Sequence, residues 1–259
     1  MNPQFFNPTS MNRNLITLLF LLMSTVLLQA QTVDEIIANY FENTGGIEKW
    51  KALQGIKMYT KLNQGGMEIP FEIVQLKDGR QMTTINIQGK EIKQGVYDGT
   101  ILWSTNFQTM KGEKSDAEST ENFKLDIGDF PDPFLNYKAR GYKVELLGKE
   151  SIEGTETFKL KLTKKPIKVD GKPADNIVYY YFDAENFVPI MQEQEVNSGP
   201  AKGMVSQNTM SDYQEVNGLM MPFSMAQGVK GQGSQPITIT KIELNPKVEP
   251  TAFAMPVEK

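Results

Sequence analysis

Chemistry in this chain must come from carboxylates, lysines, tyrosines and hydroxyls, because its 259 residues include no Cys and no His. That excludes thiol nucleophiles, disulfides, iron–sulfur clusters and Cys-bearing zinc sites. It equally excludes a Ser-His-Asp triad, the usual catalytic zinc sites and the commonest general base near neutral pH. Among what remains, Glu193 and Glu195 stand two apart on a strand-like run. Such a pair could perform acid/base work or hold a cation, yet alternating charge is the ordinary pattern of a solvated strand face. Lys159 and Lys161 lead to Lys164, Lys165 and Lys168, a cluster that could meet anionic headgroups or an acidic partner. Asp129 and Asp132 flank Phe130-Pro131, but the rest of a calcium loop is missing and a capping role for Asp132 is simpler. Gly228, Gly231 and Gly233 have no following helix and no Lys-Ser/Thr, so they read as a hairpin loop rather than a phosphate cradle. No G-x-S-x-G elbow occurs. No catalytic group, cofactor or metal is therefore expected, and the chain reads as a non-enzyme.

What the chain has instead is soft apolar surface. Residues 31–259 hold eleven Met and twenty-two aromatics, with Met204, Met210, Met220, Met221 and Met225 gathered near Phe223. Flexible thioethers suit a surface that adapts to irregular apolar cargo. Tyr179, Tyr180, Tyr181 and Phe182 put rings on both faces of one strand, as a cavity wall or as ordinary packing.

The first thirty residues read as an export signal. Arg13 precedes an apolar run from Leu15 to Leu28, which as a helix would span roughly 21 Å, short of the roughly 30 Å of a hydrocarbon core. Leu28-Gln29-Ala30 predicts cleavage after Ala30 and a mature start at Gln31. The mature chain then carries 26 basic against 31 acidic residues, a net charge of −5, which argues against nucleic-acid binding.

Residues 31–259 read as one domain. Thr32-Val33-Asp34-Glu35 fits a capping box, and Val33, Ile36, Ile37, Tyr40 and Phe41 keep helical spacing up to Gly45-Gly46. Ile47, Trp50 and Leu53 suggest another short turn or two. From Ile56 the period becomes two: Ile56, Met58, Thr60 and Leu62, then Met67, Ile69, Phe71 and Ile73 beyond Gly65-Gly66, a hairpin. Turn signals at Asp78-Gly79, Asp98-Gly99, Asp170-Gly171 and Asn217-Gly218 separate further strands. Between Lys111 and Gly141 the pattern breaks: residues 112–128 read as a mobile excursion, and Asp132-Pro133 predicts a short helix over 132–140. The fold class is mainly β, with some helix. A sheet of some ten strands tends to curl into an incomplete antiparallel barrel, and the N-terminal and inserted helices would lie as a lid over its concave face.

Four stretches together resemble the LolA-like outer-membrane lipoprotein-sorting family, particularly its secreted members of the Bacteroidetes type. They are TVDEIIANYFENTGG with IEKWKAL (32–53), YDGTILWSTNF (97–107), YYYFDAENFVPI (179–190) with DYQEVNGLMMPFSM (212–225), and IELNPKVEPTAFAMP (242–256). The resemblance implies a periplasmic carrier that takes acyl chains of lipoproteins or lipids in an apolar cavity and delivers them toward the outer membrane, with inner- and outer-membrane transfer partners. It also implies an arginine that holds the lid. Arg80 is the nearest match, displaced by a residue or two and without the following proline. The same fold serves stress-sensing regulators that bind lipid or peptide, and modules linked to secreted proteases.

The expected cavity and lid residues are Ile36, Ile37, Tyr40, Phe41, Met58, Leu62, Ile69, Phe71, Ile73, Met82 and Trp103, with Arg80 as the lid contact. A monomer is expected. The alternative to a carrier is a lipid- or peptide-sensing module that binds a partner. A third reading, a carboxylate-dependent hydrolase, requires two acids facing each other across a polar cleft.

Overall fold

The computed structural model describes residues 31–256. The expected export signal lies outside the described residues. The chain opens with helix α1 (Val33–Asn43) and helix α2 (Ile47–Ala52). Helix α1 exists because its apolar positions fall on one stripe: Ile36, Ile37, Tyr40 and Phe41 are all buried, while Asp34 and Glu35 sit favourably in the first turn. It ends at Gly45, whose φ of 110° suits glycine and where any Cβ would overlap the Gly218 carbonyl. That close approach, with the Met220 amide donating to the Thr44 carbonyl at 3.1 Å, pins the end of α1 to the sheet.

Strands β1 (Gly55–Gln64), β2 (Met67–Leu76), β3 (Gln81–Ile87), β4 (Lys90–Tyr97), β5 (Leu102–Thr105) and β6 (Gly112–Lys114) follow as a meander. After an insertion come β7 (Lys143–Ile152), β8 (Thr155–Thr163), the small hairpin β9 (Ile167–Val169) and β10 (Lys172–Ala174), then β11 (Ile177–Asp183), β12 (Pro189–Glu195), β13 (Val205–Val216), β14 (Leu219–Val229) and β15 (Ser234–Leu244). Thirteen of these form one antiparallel sheet in the order β6-β5-β4-β3-β2-β1-β15-β14-β13-β12-β11-β8-β7. The sheet exceeds the ten strands the sequence suggests and does not close: its two edges are β6 and β7. Those are the strands that the insertion joins, so residues 115–142 run from one edge to the other where a closed barrel would have a ladder.

Residues 112–128 contain a strand, β6, and a helix where the sequence suggested an excursion without regular structure. Helix α3 (Ala117–Asp126) starts at Asp116, whose carboxylate accepts the Ser119 amide at 2.6 Å. No residue of α3 is fully buried, so an apolar stripe does not announce it. Polar clamps hold it to the β9–β10 hairpin. Glu118 accepts the amides of Asp170 and Gly171, and Asn122 bonds both the amide and the carbonyl of Lys168. Phe123 rests on Tyr97 with ring centroids 4.9 Å apart, and Ile127 fills the space above Gly79.

The expected helix over 132–140 is instead a run of turns. Asp132 accepts the Phe134 amide, only two residues on, at 2.8 Å; that closes an Asx-turn rather than capping a helix at its third residue. Phe134 is then drawn into the core while Asn136 and Lys138 stay in solvent.

Candidate functional site

The face of the sheet under α1 is called inner here. Strand register fixes which side chains share it. Met58 lies opposite Ile73 and Ile242, Leu62 opposite Ile69 and Ile237, and Phe71 opposite Ile85. Alternation therefore puts Met58, Leu62, Ile69, Phe71, Ile73 and Ile85 on one side.

Two halves of this inner face differ. Over β8, β11 and the start of β14 it is filled by protein. Ile36, Tyr40 and Phe41 of α1 pack with Phe134 against Phe158, Leu160, Leu162, Phe182, Leu219 and Met221. The rings of Tyr40 and Phe134 each approach Phe182 edge-on, at 5.5 Å. Over β1–β3 and β14–β15 no helix intrudes, and a cavity of about 540 Å³ remains. Met58, Leu62, Ile69, Phe71, Ile73, Ile85, Met225, Ile237 and Ile239 line it, with Phe107 from the β5–β6 loop at the mouth. Its polar lining is Thr60, Thr83, Gln227 and Gln235, and it carries no charged side chain. Gln227 and Gln235 are directly paired across β14 and β15. The Thr60 hydroxyl is already committed to the Phe71 carbonyl at 2.6 Å. Such a space can hold apolar matter of varying shape and offers nothing for bond making.

Five of the expected cavity residues, Met58, Leu62, Ile69, Phe71 and Ile73, thus meet around one cavity. Ile36, Ile37, Tyr40 and Phe41 face the same side but belong to the filled half. Ile37 and Phe41 also border a second, solvent-open groove of about 580 Å³ between α1 and residues 134–139. Met82 and Trp103 are corrected: both lie on the outer face. Met82 pairs with Val74 and Trp103 with Val96. The C-terminal segment covers that cluster, where the Trp103 indole donates to the Phe253 carbonyl at 2.9 Å and Phe253 is fully buried. Among the methionines of the C-terminal strands, Met225 reaches the cavity and Met221 the filled core, whereas Met204 is exposed.

Arg80 borders the cleft beneath the insertion, but its guanidinium binds Asp78 within the β2–β3 turn at 2.7 and 2.9 Å and sits over the Phe253 ring. Within the insertion, Arg140 donates to the Leu125 carbonyl at 2.9 Å and pairs with Asp129 at 3.0 Å, bracing its two ends against each other. Lys164 joins the same cluster, 2.7 Å from Asp126 and 3.1 Å from Asp129. Tyr142 donates to Asp129, and burial first, then Asp129, pushes its phenol up to about 12 against the opposing pull of Arg140. The signal available in sequence was that Arg140 is one of only two arginines after Arg13.

The candidate acids are occupied by protein. Asp126 and Asp129 border the same cleft as Arg80, where both pair with Lys164 and Asp129 also with Arg140. Glu193 is buried on the outer face. Burial pushes its carboxyl up, but Lys230 at 2.8 Å, the Tyr181 hydroxyl and the Gln207 amide outweigh that and hold it below the usual range. Glu195 is exposed, so the two form no dyad. Asp132 is half-buried as a residue, yet its carboxyl head lies under the Tyr40 hydroxyl, which donates to it at 2.9 Å. Burial raises its pKa to about 6, against the opposing Phe134 amide and Tyr40 donors. Lys159 and Lys161 pair with Glu150 and Glu145 on the outer face while Lys164 turns inward, so the lysine run makes no single basic surface. Gly228 pairs with Ser234, and Gly231 and Gly233 turn between β14 and β15, as a hairpin loop requires. Among the described residues no group of acids is arranged to hold a metal ion, and no helix is long and apolar enough to cross a membrane.

No protein-family model matches the sequence, and no curated protein matches it. Solved structures do match in fold. A LolA superfamily protein from Nitrosomonas europaea superposes with a TM-score of 0.52 at 13% identity, over 87% of this chain and 98% of that one. An outer membrane lipoprotein-sorting protein domain, described as putative, from Vibrio parahaemolyticus gives 0.51 at 10% identity, over 85% and 94%. A DUF1329 family protein from Desulfovibrio piger gives 0.52 at 14% identity, over 87% and 98%. The fold of the chain, one antiparallel sheet of thirteen strands that does not close into a barrel, is LolA-like.

Proposed function

We propose that the protein is a non-enzymatic carrier that binds the acyl chain of a lipid or lipoprotein in the inner-face cavity and delivers it toward the outer membrane. Export through a signal cleaved after Ala30 would place the single domain 31–259 in the periplasm, between an inner-membrane donor and an outer-membrane acceptor. The observation that carries the reading is an apolar cavity of about 540 Å³ without a charged lining residue, on the inner face beside the half that α1 covers. Burying hydrocarbon there is favourable by roughly 25 cal/mol per Å², so loading needs no cofactor. The proteins of similar fold from Nitrosomonas and Vibrio are described as a LolA superfamily member and a lipoprotein-sorting domain, which agrees with this role.

The test is mass spectrometry of lipid extracted from the protein purified from its own cells. Acyl chains at up to one lipid per protein are expected, and N-terminal sequencing of the same sample should begin at Gln31. A lipid-free protein that also fails to bind a fluorescent fatty acid would overturn the carrier role. If such a protein came out in a stable complex with another protein, the partner-sensing reading would replace it.

A further inference from the structure

We infer that the end of the sheet at which the cavity opens is a docking surface for an anionic lipid bilayer; its use in loading an acyl chain rests on the carrier reading above. Register defines that end. Neighbouring strands are antiparallel, so the connections β1–β2, β3–β4, β5–β6, β12–β13 and β14–β15, with the β8–β11 connection that carries β9 and β10, share one end. Among the described residues seven large apolar side chains are exposed, and five of them stand in or beside these connections: Met67, Ile87, Phe107, Met110 and Met204. Met67 and Phe107 are the most exposed of all, at 68% and 59%. Alternation carries the cavity rows out to these tips, because Met67 shares a face with Ile69 and Phe71, and Ile87 with Ile85. Ile87 and Phe107 belong to the cavity lining and to the exposed rim at once. An apolar surface therefore runs without a break from the cavity to the tips.

Charge divides the two ends in the same way. Counting each connection with the first residue of the strand that follows, this end comprises 65–67, 88–90, 106–112, 164–177, 196–205 and 230–234, which together hold eight lysines and two aspartates. The connections of the opposite end, 77–81, 98–102, 153–155, 184–189 and 217–219, hold Lys77 and Arg80 against Asp78, Asp98, Glu153 and Glu185. Some of the eight lysines are paired, Lys202 with Asp170 at 2.6 Å, Lys230 with Glu193 at 2.8 Å and Lys164 with Asp126 and Asp129. The acids next along the strands are engaged as well: Lys61 holds Glu68, Lys93 holds Glu91 and the Asn106 amide holds Glu113. A chain of net negative charge thus presents its basic connections where its cavity opens.

The spacing of the tips selects the occupant. Neighbouring tips are two strands apart, about 10 Å, and each apolar side chain is set among Gly, Gln, Ser or Thr. A protein partner is recognised through a contiguous, well-packed apolar centre, which isolated tips do not offer. A bilayer interface has no fixed shape: separate Met, Ile and Phe side chains can enter between headgroups while lysines reach the lipid phosphates. In that pose the mouth faces hydrocarbon, and an acyl chain passes between cavity and membrane without crossing water.

The experiment is flotation of the purified protein with vesicles. Vesicles of phosphatidylethanolamine with phosphatidylglycerol should carry it, and vesicles of phosphatidylcholine alone should bind it at least tenfold more weakly. The triple variant Met67→Glu, Met110→Glu, Met204→Glu touches no cavity-lining position. It should lose at least tenfold in vesicle binding and keep its affinity for a fluorescent fatty acid in solution within twofold. The double variant Ile47→Glu, Leu147→Glu charges the two exposed apolar side chains that lie elsewhere and should float like the parent. Transfer of the fluorescent fatty acid from parent protein to the anionic vesicles should speed up in proportion to vesicle concentration, and the triple variant should transfer at least tenfold more slowly. Fatty-acid binding without vesicle binding, equal flotation on phosphatidylcholine, or a folded triple variant that floats like the parent would each overturn the docking surface and leave the carrier reading standing. Vesicle binding by a protein that takes up no fatty acid would overturn the carrier reading and leave the surface in place. A parent that ignores vesicles and self-associates in a manner the triple variant abolishes would make this end an interface between copies instead.

Discussion

The two halves of the inner face are made from the same ladder yet do opposite things. In one, rings from α1 and Phe134 interlock with Phe182, and the residues there are almost fully inaccessible. In the other, aliphatic side chains from β1–β3 and β15 and the Met225 thioether stand half-buried around empty space. The difference is the covering element. Helix α1 is eleven residues long and so covers only about 16 Å, while thirteen strands at about 4.8 Å spacing make a surface several times wider. A short helix can secure the fold and leave the remainder of the face for cargo.

The largest expected effect lies in the filled half. Phe182→Ala removes a fully buried ring that touches Tyr40 and Phe134, and should cost about 3–5 kcal/mol of unfolding free energy. Ile73→Ala in the cavity, already half-exposed, should cost about 1 kcal/mol or less. Urea denaturation of the two variants measures the contrast. Equal losses would mean that both halves support the fold alike and that the division is false.

Binding should show the reverse pattern. Phe71→Lys or Ile69→Lys places an unpaired charge in the cavity and should weaken a fluorescent fatty acid at least tenfold, equivalent to about 1.4 kcal/mol. Glu68→Lys and Glu72→Lys alter the outer face, where they break exposed pairs with Lys61 and Lys57, and should change affinity less than twofold. Equal effects at both sets, with folding intact, would remove the inner face as the binding surface and favour the partner-sensing module.

Much of this division was legible in the residues. The stripe in α1 and the period-two run from Ile56 to Ile73 each bring their apolar side chains to one side, because helix and strand periods follow directly from local spacing. Met82 and Trp103 were illegible for a different reason. Each is apolar, but hydrophobicity alone does not say which of two faces is buried, and here both are. The outer cluster exists only because Phe253 returns to it from 150 positions along the chain. Helix α3 was hidden because polar clamps, not an apolar stripe, seat it. The turns at 132–140 carry helix-like capping residues, yet burial of Phe134 and the Asx-turn of Asp132 take precedence.

Met82 offers a check of the face assignment at smaller magnitude. It packs beside Val74 and Trp103, partly buried, so Met82→Ala should cost about 1–2 kcal/mol in stability. Fatty-acid affinity should stay within about twofold of the parent protein. Met58→Ala, on the cavity wall, should instead change the affinity or the chain-length optimum. Loss of lipid binding in Met82→Ala without unfolding would return that residue to the cavity and break the assignment of faces.

The last expected effect concerns pH and the filled half. Asp132 holds the 130–135 segment to α1 through Tyr40, and its pKa of about 6 is above the ordinary carboxylate value because burial disfavours its charge. The groups facing it are Tyr40, Tyr180 and Tyr213, whose phenols are themselves held neutral by burial, and the neighbouring Asp129. The folded protein therefore binds a proton here that the unfolded chain has already released between about pH 4 and 6. Stability from this group is fully present below that window and is lost as pH rises through about 6. Other carboxylates, such as Asp34, Asp78 and Glu193, are held below their usual range and act in the opposite sense, so the total curve does not isolate Asp132. The difference between parent and Asp132→Asn does. Asparagine keeps an acceptor for the Phe134 amide and never ionises, so the variant should gain on the order of 1–2 kcal/mol relative to the parent between pH 4 and pH 7. Paired urea denaturations at the two pH values measure it. A difference that stays flat, or that moves in favour of the parent as pH rises, would show that Asp132 is ionised in the folded protein at no cost and that the filled half tolerates a buried charge.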